Sequence, residues 1–419
     1  MHTFETYHHK MADKKQAAIG FIFITLIIDI TGWGLIIPVF PTLIEQLIGG
    51  SVSDAARWSG WLGFSYAIMQ FLCSPIVGSL SDKFGRRPVL LISLFGFAID
   101  YVVLALAPTI GWLFLGRIIA GITGSSITTA SAYIADISTP ETRAKNFGMI
   151  GAAFGLGFIL GPVLGGLLGQ FGPRVPFWTA SVLCLLNWLY GYFVLPESLS
   201  KDHRRAFSWK SAIPFQSLLK LRKYPSIAGL ILSMILVYIA AHAVQSNWSF
   251  YGIERFQWNE KMIGISLGLI GLVVGAVQGG LVRVVNPILG NEKSVYLGLT
   301  LYAIGMVLFG LATQTWMMFV FLVPYCLGGI AGPALQSIIS GQVPPNQQGE
   351  LQGALTSLMS ATSIVGPPLM TNTFAFFTKA DAPVYLPGAP FFLGAFCMLF
   401  SAFFAFRSLH PGKKIAPAS

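Results

Sequence analysis

Apolar runs of roughly 20 residues recur along the entire chain and are separated by short polar segments. An α-helix of that length crosses the ~30 Å hydrocarbon core of a bilayer, whereas a barrel strand is about half as long and alternates polar with apolar residues. Only 10% of the 419 residues are charged and 54% are hydrophobic, compared with about 25% charged residues in soluble domains. The chain is therefore predicted to be an all-α integral membrane protein.

Twelve of these runs are long enough to be membrane-spanning helices. The longest polar interruption lies between the sixth and the seventh run and predicts a cytoplasmic linker. The predicted organisation is an N-terminal extension (1–16), a six-helix bundle (17–195), the linker (196–224), a second six-helix bundle (225–407) and a tail (408–419). The predicted helices lie near residues 17–44, 58–80, 88–107, 112–135, 146–170, 175–195, 225–251, 262–286, 295–313, 316–340, 350–377 and 389–407.

Basic residues concentrate on one side of the predicted bilayer. With both termini in the cytoplasm, 20 of the 26 Lys and Arg residues lie on that side, and Arg117 lies within the membrane. This distribution follows the positive-inside rule, so the net charge of +10 needs no nucleic-acid partner. The four cysteines lie in predicted spans without metal-ligand spacing, which favours packing roles and no metal site.

A weak internal repeat relates the two halves of the chain at an offset of 205 residues. It indicates two pseudo-symmetric bundles with a binding site between them. Coincidence is the alternative, since the chain contains 46 Gly and 24 Pro. The matched positions are Pro140 with Pro345, Gly148 with Gly353, Gly161 with Gly366, Pro162 with Pro367, and Gly85 with Gly290.

Four ionisable side chains lie well inside predicted spans, namely Asp29, Asp100, Arg117 and His242. Each costs roughly 2.5 to 3.5 kcal/mol at a helix centre, so a functional role is the first hypothesis. Asp29 and Asp100 are the candidate proton carriers, and Arg117 needs an anionic partner, for which Asp100 is the candidate. The alternative is a structural role, as carboxylates and an ion pair that fix helix contacts.

Substrate-binding candidates are amide, aromatic and imidazole side chains in the predicted spans. Such groups suit a large and partly apolar molecule. The alternative for His242 is a hydrogen-bonded packing residue. Five candidates share the seventh predicted helix and two lie elsewhere: His242, Gln245, Asn247, Trp248, Tyr251, Gln70 and Gln336.

The loop "GSLSDKFGRR" joins the second and third predicted helices at the cytoplasmic face. Positive charge alone satisfies the topology rule, so Asp82 and Gly85 need another explanation. We interpret the loop as a gate, in which Gly78 permits a close helix approach, Gly85 forms the turn, and a helix N-terminus and nearby arginines hold Asp82. The remaining expected gate residues are Arg86, Arg87, Asp136 and Arg143. The second-half loop near Gly290 lacks the aspartate, which predicts a weaker counterpart.

The chain contains no GxxxxGK[ST] nucleotide-binding loop. An ion or substrate gradient is therefore the expected energy source, with no cofactor. An enzyme is disfavoured because no nucleophile, base and orienting group occur together, and a non-transporting receptor is disfavoured because no long soluble sensor domain is present.

Three motifs resemble those of the major facilitator superfamily. "GSLSDKFGRR" resembles the signature loop, "GRIIAG" the helix-four arginine motif, and "GFILGPVLGG" the helix-five antiporter motif. The resemblance implies a twelve-helix transporter that works by alternating access. It also assigns the antiporter motif to Gly157, Gly161, Pro162 and Gly165.

Within that superfamily the chain resembles the tetracycline/H⁺ antiporter group along almost its whole length, as in "DITGWGLIIPVFPTL" and "QQGELQGAL". The resemblance implies a monomeric exporter of the bacterial inner membrane that binds protons, lipid and a small-molecule substrate. The stretches that correspond to helices eight and nine contain no ionisable group other than tyrosine, although the group carries a histidine and an aspartate there. Proton coupling is therefore expected in the first half. Transport of an unrelated metabolite, by symport or export, is the alternative.

Overall fold

The computed structural model describes residues 2–124, 126–205, 207, 221, 227–344 and 347–410. Within these ranges, side chains are described from residue 19 onwards, except at residues 140, 143, 144 and 349. All regular structure in this part of the chain is helical. The predicted all-α membrane class is confirmed.

In the first half, the predicted first and fourth helices are each divided in two. A turn that contains Pro38 ends the first helix, because proline supplies no backbone N–H to continue it. The fourth is interrupted at Gly124. The helices are α1 (His2–Ile36), α2 (Phe40–Ile48), α3 (Val52–Phe84), α4 (Arg86–Leu106), α5 (Ile110–Thr123), α6 (Ser126–Ile137), α7 (Pro140–Gly169) and α8 (Val175–Val194).

In the second half, two predicted helices contain irregular turns. A π-helical turn, Val277–Leu281, separates α10 from α11, and a 3₁₀ turn, Gly328–Ile330, separates α13 from α14. The helices are α9 (Ala228–Phe256), α10 (Glu260–Ala276), α11 (Val282–Leu289), α12 (Asn291–Leu311), α13 (Thr315–Leu327), α14 (Ala331–Gly341), α15 (Gln348–Thr378) and α16 (Ala389–Leu409).

Eleven segments of the described chain are long and apolar enough to cross a membrane. α15, with 31 residues, is also long enough and supplies the twelfth predicted helix. The eleven segments are Ile19–Ile36, Val52–Phe84, Arg86–Leu106, Ile110–Ile137, Lys145–Gly169, Val175–Val194, Ala228–Phe256, Glu260–Leu289, Asn291–Leu311, Thr315–Gly341 and Ala389–Leu409.

The chain forms two compact units. Unit 1 comprises Met1–Gly50, Leu62–Pro214 and Trp258–Gly271. Unit 2 comprises Ser51–Trp61, Phe215–Gln257 and Leu272–Ser419. Within unit 1, a core of buried apolar residues, including Phe21, Leu94 and Tyr133, joins α1, α4, α6, α7 and α8. These helices carry most of the candidate site residues of the first half.

The sequence repeat is also a repeat of local backbone geometry. Gly85 precedes α4 with φ 107° and ψ 161°, and Gly290 precedes α12 with φ 79° and ψ 156°. The helix break at Gly124 and the 3₁₀ turn at Gly328–Ile330 also correspond at the 205-residue offset. Each half therefore has a divided helix at the same place in its order.

Candidate functional site

A buried ion pair joins α4 to α5. Arg117 Nη2 lies 2.6 Å from Asp100 Oδ2, and the residues are 7% and 0% exposed. Gly116 leaves room for the carboxylate, since a Cβ there would lie 2.7 Å from Asp100 Oδ1. Asp100 Oδ1 and Arg117 Nε have no hydrogen-bond partner among the described residues. The predicted pairing is confirmed, and its incomplete hydrogen bonding leaves capacity for a proton or another partner.

Asp29 lies near the middle of the apolar part of α1. Both of its carboxylate oxygens are buried, and neither has a hydrogen-bond partner within the described chain, although the Ser126 hydroxyl of α6 lies beside it. The phenols of Tyr66 and Tyr101 interact electrostatically with Asp29 and with both members of the ion pair. We refer to Asp29, Tyr66, Asp100, Tyr101 and Arg117 as the buried charge cluster.

Gln70, a predicted substrate-binding residue, connects α3 to the break between α5 and α6. Its Nε2 donates to Tyr66 Oη at 3.0 Å and to the Gly124 carbonyl at 3.1 Å. The Arg117 guanidinium lies 6.0 Å from the centre of the Tyr66 ring. Gln70 is therefore attached to the edge of the buried charge cluster, and its contact with a substrate stays a prediction.

The glycines of the predicted antiporter motif form one face of α7. Gly157, Gly161 and Gly165 are spaced about one turn apart and pack against α1. A Cβ on Gly161 would lie 2.7 Å from Gly34 Cα, and one on Gly165 would meet the Leu35 carbonyl. Because these neighbours are backbone atoms, they cannot move aside as a side chain can. Glycine at these positions therefore permits the close approach of the two helices.

A second face of α7 contacts the first turns of α10, within unit 1. A Cβ on Gly264 would meet the Pro162 carbonyl, and one on Gly166 would lie 3.0 Å from Gly264 Cα. Beside this contact, Thr42 Oγ1 donates to Glu260 Oε1 at 2.8 Å. α7 is therefore packed between α1 and α10, so a displacement of α7 requires one of them to move.

The loop between α3 and α4 brings three predicted gate residues together. Arg86 Nη1 lies 2.6 Å from Asp82 Oδ1, and Arg86 Nε lies 3.1 Å from Asp136 Oδ2. Arg86 Nη1 also donates to Ser81 Oγ at 2.6 Å, and the residue is 8% exposed. Gly85 forms the turn, as predicted, in a conformation that only glycine adopts readily. We refer to Asp82, Arg86 and Asp136 as the latch.

Other predicted gate residues lie outside the latch. Apart from the backbone of its own helix, no atom of the described residues lies within 4 Å of the position of a Cβ on Gly78, so the prediction of a close helix approach there is wrong. Arg87 Nη2 donates to the Tyr192 carbonyl at 2.6 Å, which attaches Arg87 to the end of α8. The side chain of Arg143 lies outside the described residues.

Glu197, which the sequence analysis missed, caps the N-terminus of α4. Its Oε1 accepts the N–H of Arg86 at 2.8 Å, and its Oε2 accepts that of Arg87 at 3.3 Å. The expected arginine partner of Asp82 is confirmed, since its carboxylate pairs with the Arg86 side chain. The expected contact of Asp82 with this helix N-terminus is wrong, because the N–H groups of Arg86 and Arg87 donate to Glu197. The signal was a carboxylate directly after the sixth predicted helix, on the same membrane face as the loop.

The corresponding loop of the second half has different contacts. Asn291 Nδ2 donates to Ser337 Oγ at 3.0 Å, and His410 Nε2 lies 3.2 Å from Glu292 Oε1. These side chains are exposed or half-buried, and no atom of the described residues other than its two chain neighbours lies within 4 Å of a Cβ position on Gly290. Among the described residues, this loop contains no counterpart of the buried arginine between two aspartates.

Three of the five candidates on α9 are enclosed within unit 2. The Trp248 ring meets the Phe309 ring edge-on at 5.2 Å between centroids, and Tyr251 Oη donates to the Phe309 carbonyl at 2.7 Å. Asn247 Nδ2 donates to the Ala243 carbonyl of its own helix at 3.3 Å. All three are at most 1% exposed. In this structure they pack the helix bundle and do not form the predicted substrate-binding surface.

The other candidates of the second half have more open surroundings. His242 packs against α15 at Gly366, where a Cβ would meet the imidazole ring. Gln336 Nε2 donates to Gln352 Oε1 at 3.0 Å and links α14 to α15. Gln245 and Gln336 are exposed, so they stay available as predicted substrate contacts.

Comparison with known proteins gives consistent matches along the chain. The profile of the Major Facilitator Superfamily matches residues 22–290. The chain is 40% identical to the class C tetracycline resistance protein of Escherichia coli, covering 86% of this chain and 91% of that protein. It is 36% identical to the class E protein of Escherichia coli, covering 94% and 95%. The solved structure of the human organic anion transporter MFSD10 (TETRAN) is similar, with a TM-score of 0.68, 25% identity and coverage of 93% and 99%.

Proposed function

Since this chain belongs to the Major Facilitator Superfamily and, within it, to the tetracycline resistance proteins, we propose that it is a proton-coupled exporter of tetracycline-like or other amphipathic compounds. The alignments with these two relatives cover at least 86% of the chain. The transport cycle is alternating access, in which a binding site opens first to one side of the membrane and then to the other.

The observation that carries proton coupling is the environment of Asp29. Its two carboxylate oxygens are buried and lack hydrogen-bond partners among the described residues. A buried carboxylate in that position is costly when charged, and binding a proton removes the charge. We therefore assign the exchangeable proton to Asp29, with Asp100 and Arg117 as the adjacent pair whose bonding responds to it.

Helix packing offers a route from this proton to a conformational change. Asp29 and the contact surface of Gly34 belong to the same helix, and Gly34 packs against Gly161 of α7. We expect protonation of Asp29 to change its preferred neighbours and the position of α1. α7 then has to adjust, because its glycine face leaves no space between the two backbones.

The proposed substrate class is supported by the relatives and by the uncharged amide side chains of the second half. The relatives at 40% and 36% identity are named as tetracycline resistance proteins, which favours an amphipathic drug as substrate. Amide groups at Gln245 and Gln336 supply hydrogen bonds without charge. The runner-up substrate is an unrelated small metabolite, for which the likeness to an organic anion transporter favours an organic anion.

We further assign the protein to the bacterial inner membrane, with both termini in the cytoplasm. This orientation leaves 20 of the 26 basic residues on the cytoplasmic side. The chain acts as a monomer in the lipid bilayer, and the proton gradient replaces any cofactor as the energy source.

Everted membrane vesicles from bacterial cells that produce the full chain test this function. Respiration acidifies the vesicle lumen, so an antiporter moves substrate inward while protons leave. We expect tetracycline uptake that a protonophore abolishes, together with tetracycline-dependent alkalinisation of the lumen. Vesicles from cells without the chain are the control.

Two results would contradict the proposal. If none of a panel of tetracyclines and other amphipathic drugs is taken up or causes proton movement, drug export is excluded. Uptake of an organic anion together with protons, measured in right-side-out vesicles, would replace export by symport.

A further inference from the structure

We propose that Glu197 is a positioning residue of the latch, which holds the first turn of α4 so that Arg86 lies between Asp82 and Asp136. Glu197 lies three residues beyond the end of α8, at the start of the linker. This inference rests on the proposed transport function, because a latch affects the rate only in a protein that alternates between conformations.

One carboxylate accepts four backbone N–H groups. Glu197 Oε1 accepts those of Arg86 at 2.8 Å, Ser198 at 3.0 Å and Leu199 at 3.1 Å. Its Oε2 accepts the N–H of Arg87 at 3.3 Å. The first N–H groups of a helix have no partner inside the helix, and that end carries a partial positive charge. Glu197 therefore completes the start of α4 and fixes the direction of the linker with the same side chain.

Gly85 makes room for this carboxylate. Its φ of 107° belongs to glycine, and a Cβ in its place would meet the carboxylate of Glu197. Gly290 has a similar conformation, but no atom of the described part of the chain other than its two chain neighbours lies within 4 Å of its Cβ position. The first-half loop therefore differs from its repeat in the close approach at Gly85. We attribute the need for glycine at this position to the contact with Glu197.

The residues that follow Glu197 contact the acidic members of the latch. Ser198 Oγ donates to Asp136 Oδ2 at 3.0 Å, and the N–H of Arg205 donates to the Asp82 carbonyl at 3.1 Å. The start of the linker, residues 196–205, therefore contacts Asp82, Arg86 and Asp136. A displacement of this segment would change the position of the arginine and of both aspartates together.

A role in positioning predicts a specific kinetic effect. Among the described residues, the contacts of Glu197 are with α4, the linker and the latch, and they include none of the candidate substrate-binding side chains. We expect its loss to lower the maximum transport rate and to leave the substrate concentration at half-maximal rate almost unchanged.

Hydrogen exchange of the purified full-length protein tests the contact without any substrate. Glu197→Ala removes the acceptor, so we expect the amides of Arg86 and Arg87 to exchange roughly tenfold to hundredfold faster, the range for loss of a hydrogen bond to a charged group. Glu197→Gln keeps an acceptor oxygen and should have a smaller effect. The matched control is Glu141→Ala, an exposed carboxylate in the first turn of α7, whose hydrogen bond from Thr139 lowers its pKa.

Transport in everted vesicles tests the consequence. We expect Glu197→Ala to reduce the maximum rate about tenfold or more, with the half-saturating concentration changed by less than about twofold. Glu141→Ala should match the unmodified protein. In an Asp82→Asn background, Glu197→Ala should add little, because both substitutions act through the same latch.

Several outcomes would overturn the inference. Equal amide exchange rates of Arg86 and Arg87 in Glu197→Ala and Glu141→Ala would show that Glu197 does not cap α4. Faster amide exchange in Glu197→Ala together with an unchanged maximum transport rate would contradict the role of Glu197 in the latch. Additive effects of Glu197→Ala and Asp82→Asn on that rate would contradict it as well. Should the unmodified protein transport none of the compounds tested, the proposed function fails, and the exchange comparison alone then decides whether Glu197 holds α4.

Discussion

Among individual residues, the two buried carboxylates of the first half differ in their partners. Asp100 forms an ion pair with Arg117, whereas Asp29 has no hydrogen-bond partner among the described residues. An unpaired buried carboxylate exchanges a proton without breaking a salt bridge, whereas a paired one loses an attractive interaction when it becomes neutral. This difference is the reason for assigning the proton to Asp29 and a supporting role to Asp100.

The substitution Asp29→Asn should uncouple transport from the proton gradient. The amide keeps the shape of the side chain but has no exchangeable charge. One proton driven by about 100 mV and one pH unit supports a substrate gradient of up to several hundredfold, which we expect to disappear. Exchange of labelled for unlabelled substrate at equal concentrations should persist, since it needs no proton. Vesicle uptake measures both, with Asp381→Asn, an exposed carboxylate, as the control. Retained proton-driven accumulation would exclude Asp29 as the carrier.

The ion pair should show strong coupling between its two members. Removal of one partner from a buried pair leaves an uncompensated charge and typically costs about 3–5 kcal/mol of stability. Asp100→Leu and Arg117→Met are therefore each expected to destabilise the protein, and the double variant should be more stable than either. Thermal unfolding in detergent gives the comparison. Destabilisation of the double variant that equals the sum of the single effects would mean that the pair does not act as a unit.

Among the helices, α7 has two glycine-bearing faces with different neighbours. One face packs against α1 and the other against α10. Tight helix packing in membranes depends on small residues, because lipid supplies no hydrophobic force between helices. The spacing of the motif "GFILGPVLGG" therefore serves contact with two helices, which accounts for its density of small residues.

Gly161→Ala should destabilise the protein, whereas Gly155→Ala, at a position earlier in the same helix, should not. The added methyl at position 161 would lie 2.7 Å from Gly34 Cα and 2.8 Å from the Thr31 carbonyl, and overpacking of this kind costs about 1–3 kcal/mol. At Gly155 no atom of the described residues, other than the backbone of its own helix, lies within 4 Å of the Cβ position, so helix propensity makes alanine favourable by up to about 1 kcal/mol. Detergent unfolding temperatures measure the difference. Equal stability of both variants would show that the α1 contact is not close-packed.

Across the entire chain, the distribution of basic residues predicts the orientation. Of the 26 basic residues, 20 lie in segments predicted to be cytoplasmic and only five in segments predicted to face the other side. Cytoplasmic retention of lysine and arginine is what orients multi-pass proteins. We therefore expect the latch and the linker start to face the cytoplasm.

Reporter fusions check this orientation. Alkaline phosphatase fused after Gly172, in the loop between α7 and α8, should be active because the enzyme folds only outside the cytoplasm. The same reporter fused after Ser138, between α6 and α7, should be inactive. A fluorescent reporter fused at that site should fluoresce, because it folds in the cytoplasm. Activity after Ser138 would invert the topology and move the latch to the outer face.

Hydropathy, charge pattern and motifs were sufficient for the fold class, eleven of the twelve predicted spans and the transporter family, because each depends on residue type and on short spacing along the chain. They also identified Asp100 as the candidate partner of Arg117, since few charges occur inside the spans. Helix breaks such as the π-helical turn Val277–Leu281 were not predicted, because the apolar run that predicts the helix continues through the turn.

Side-chain partners depended on the folded chain. Glu197 reaches the start of α4 from 111 residues away, and no local pattern reports a contact over that distance. Trp248 and Tyr251 are residue types that often line binding surfaces, but the packing of α9 buries them. Gly78 matches the signature loop, yet no residue of another described helix lies within 4 Å of its Cβ position. The length of an apolar segment and the charges beside it determine insertion through interactions with water and lipid, which need no contact with another part of the chain. A side-chain partner, in contrast, is present only after distant helices have packed.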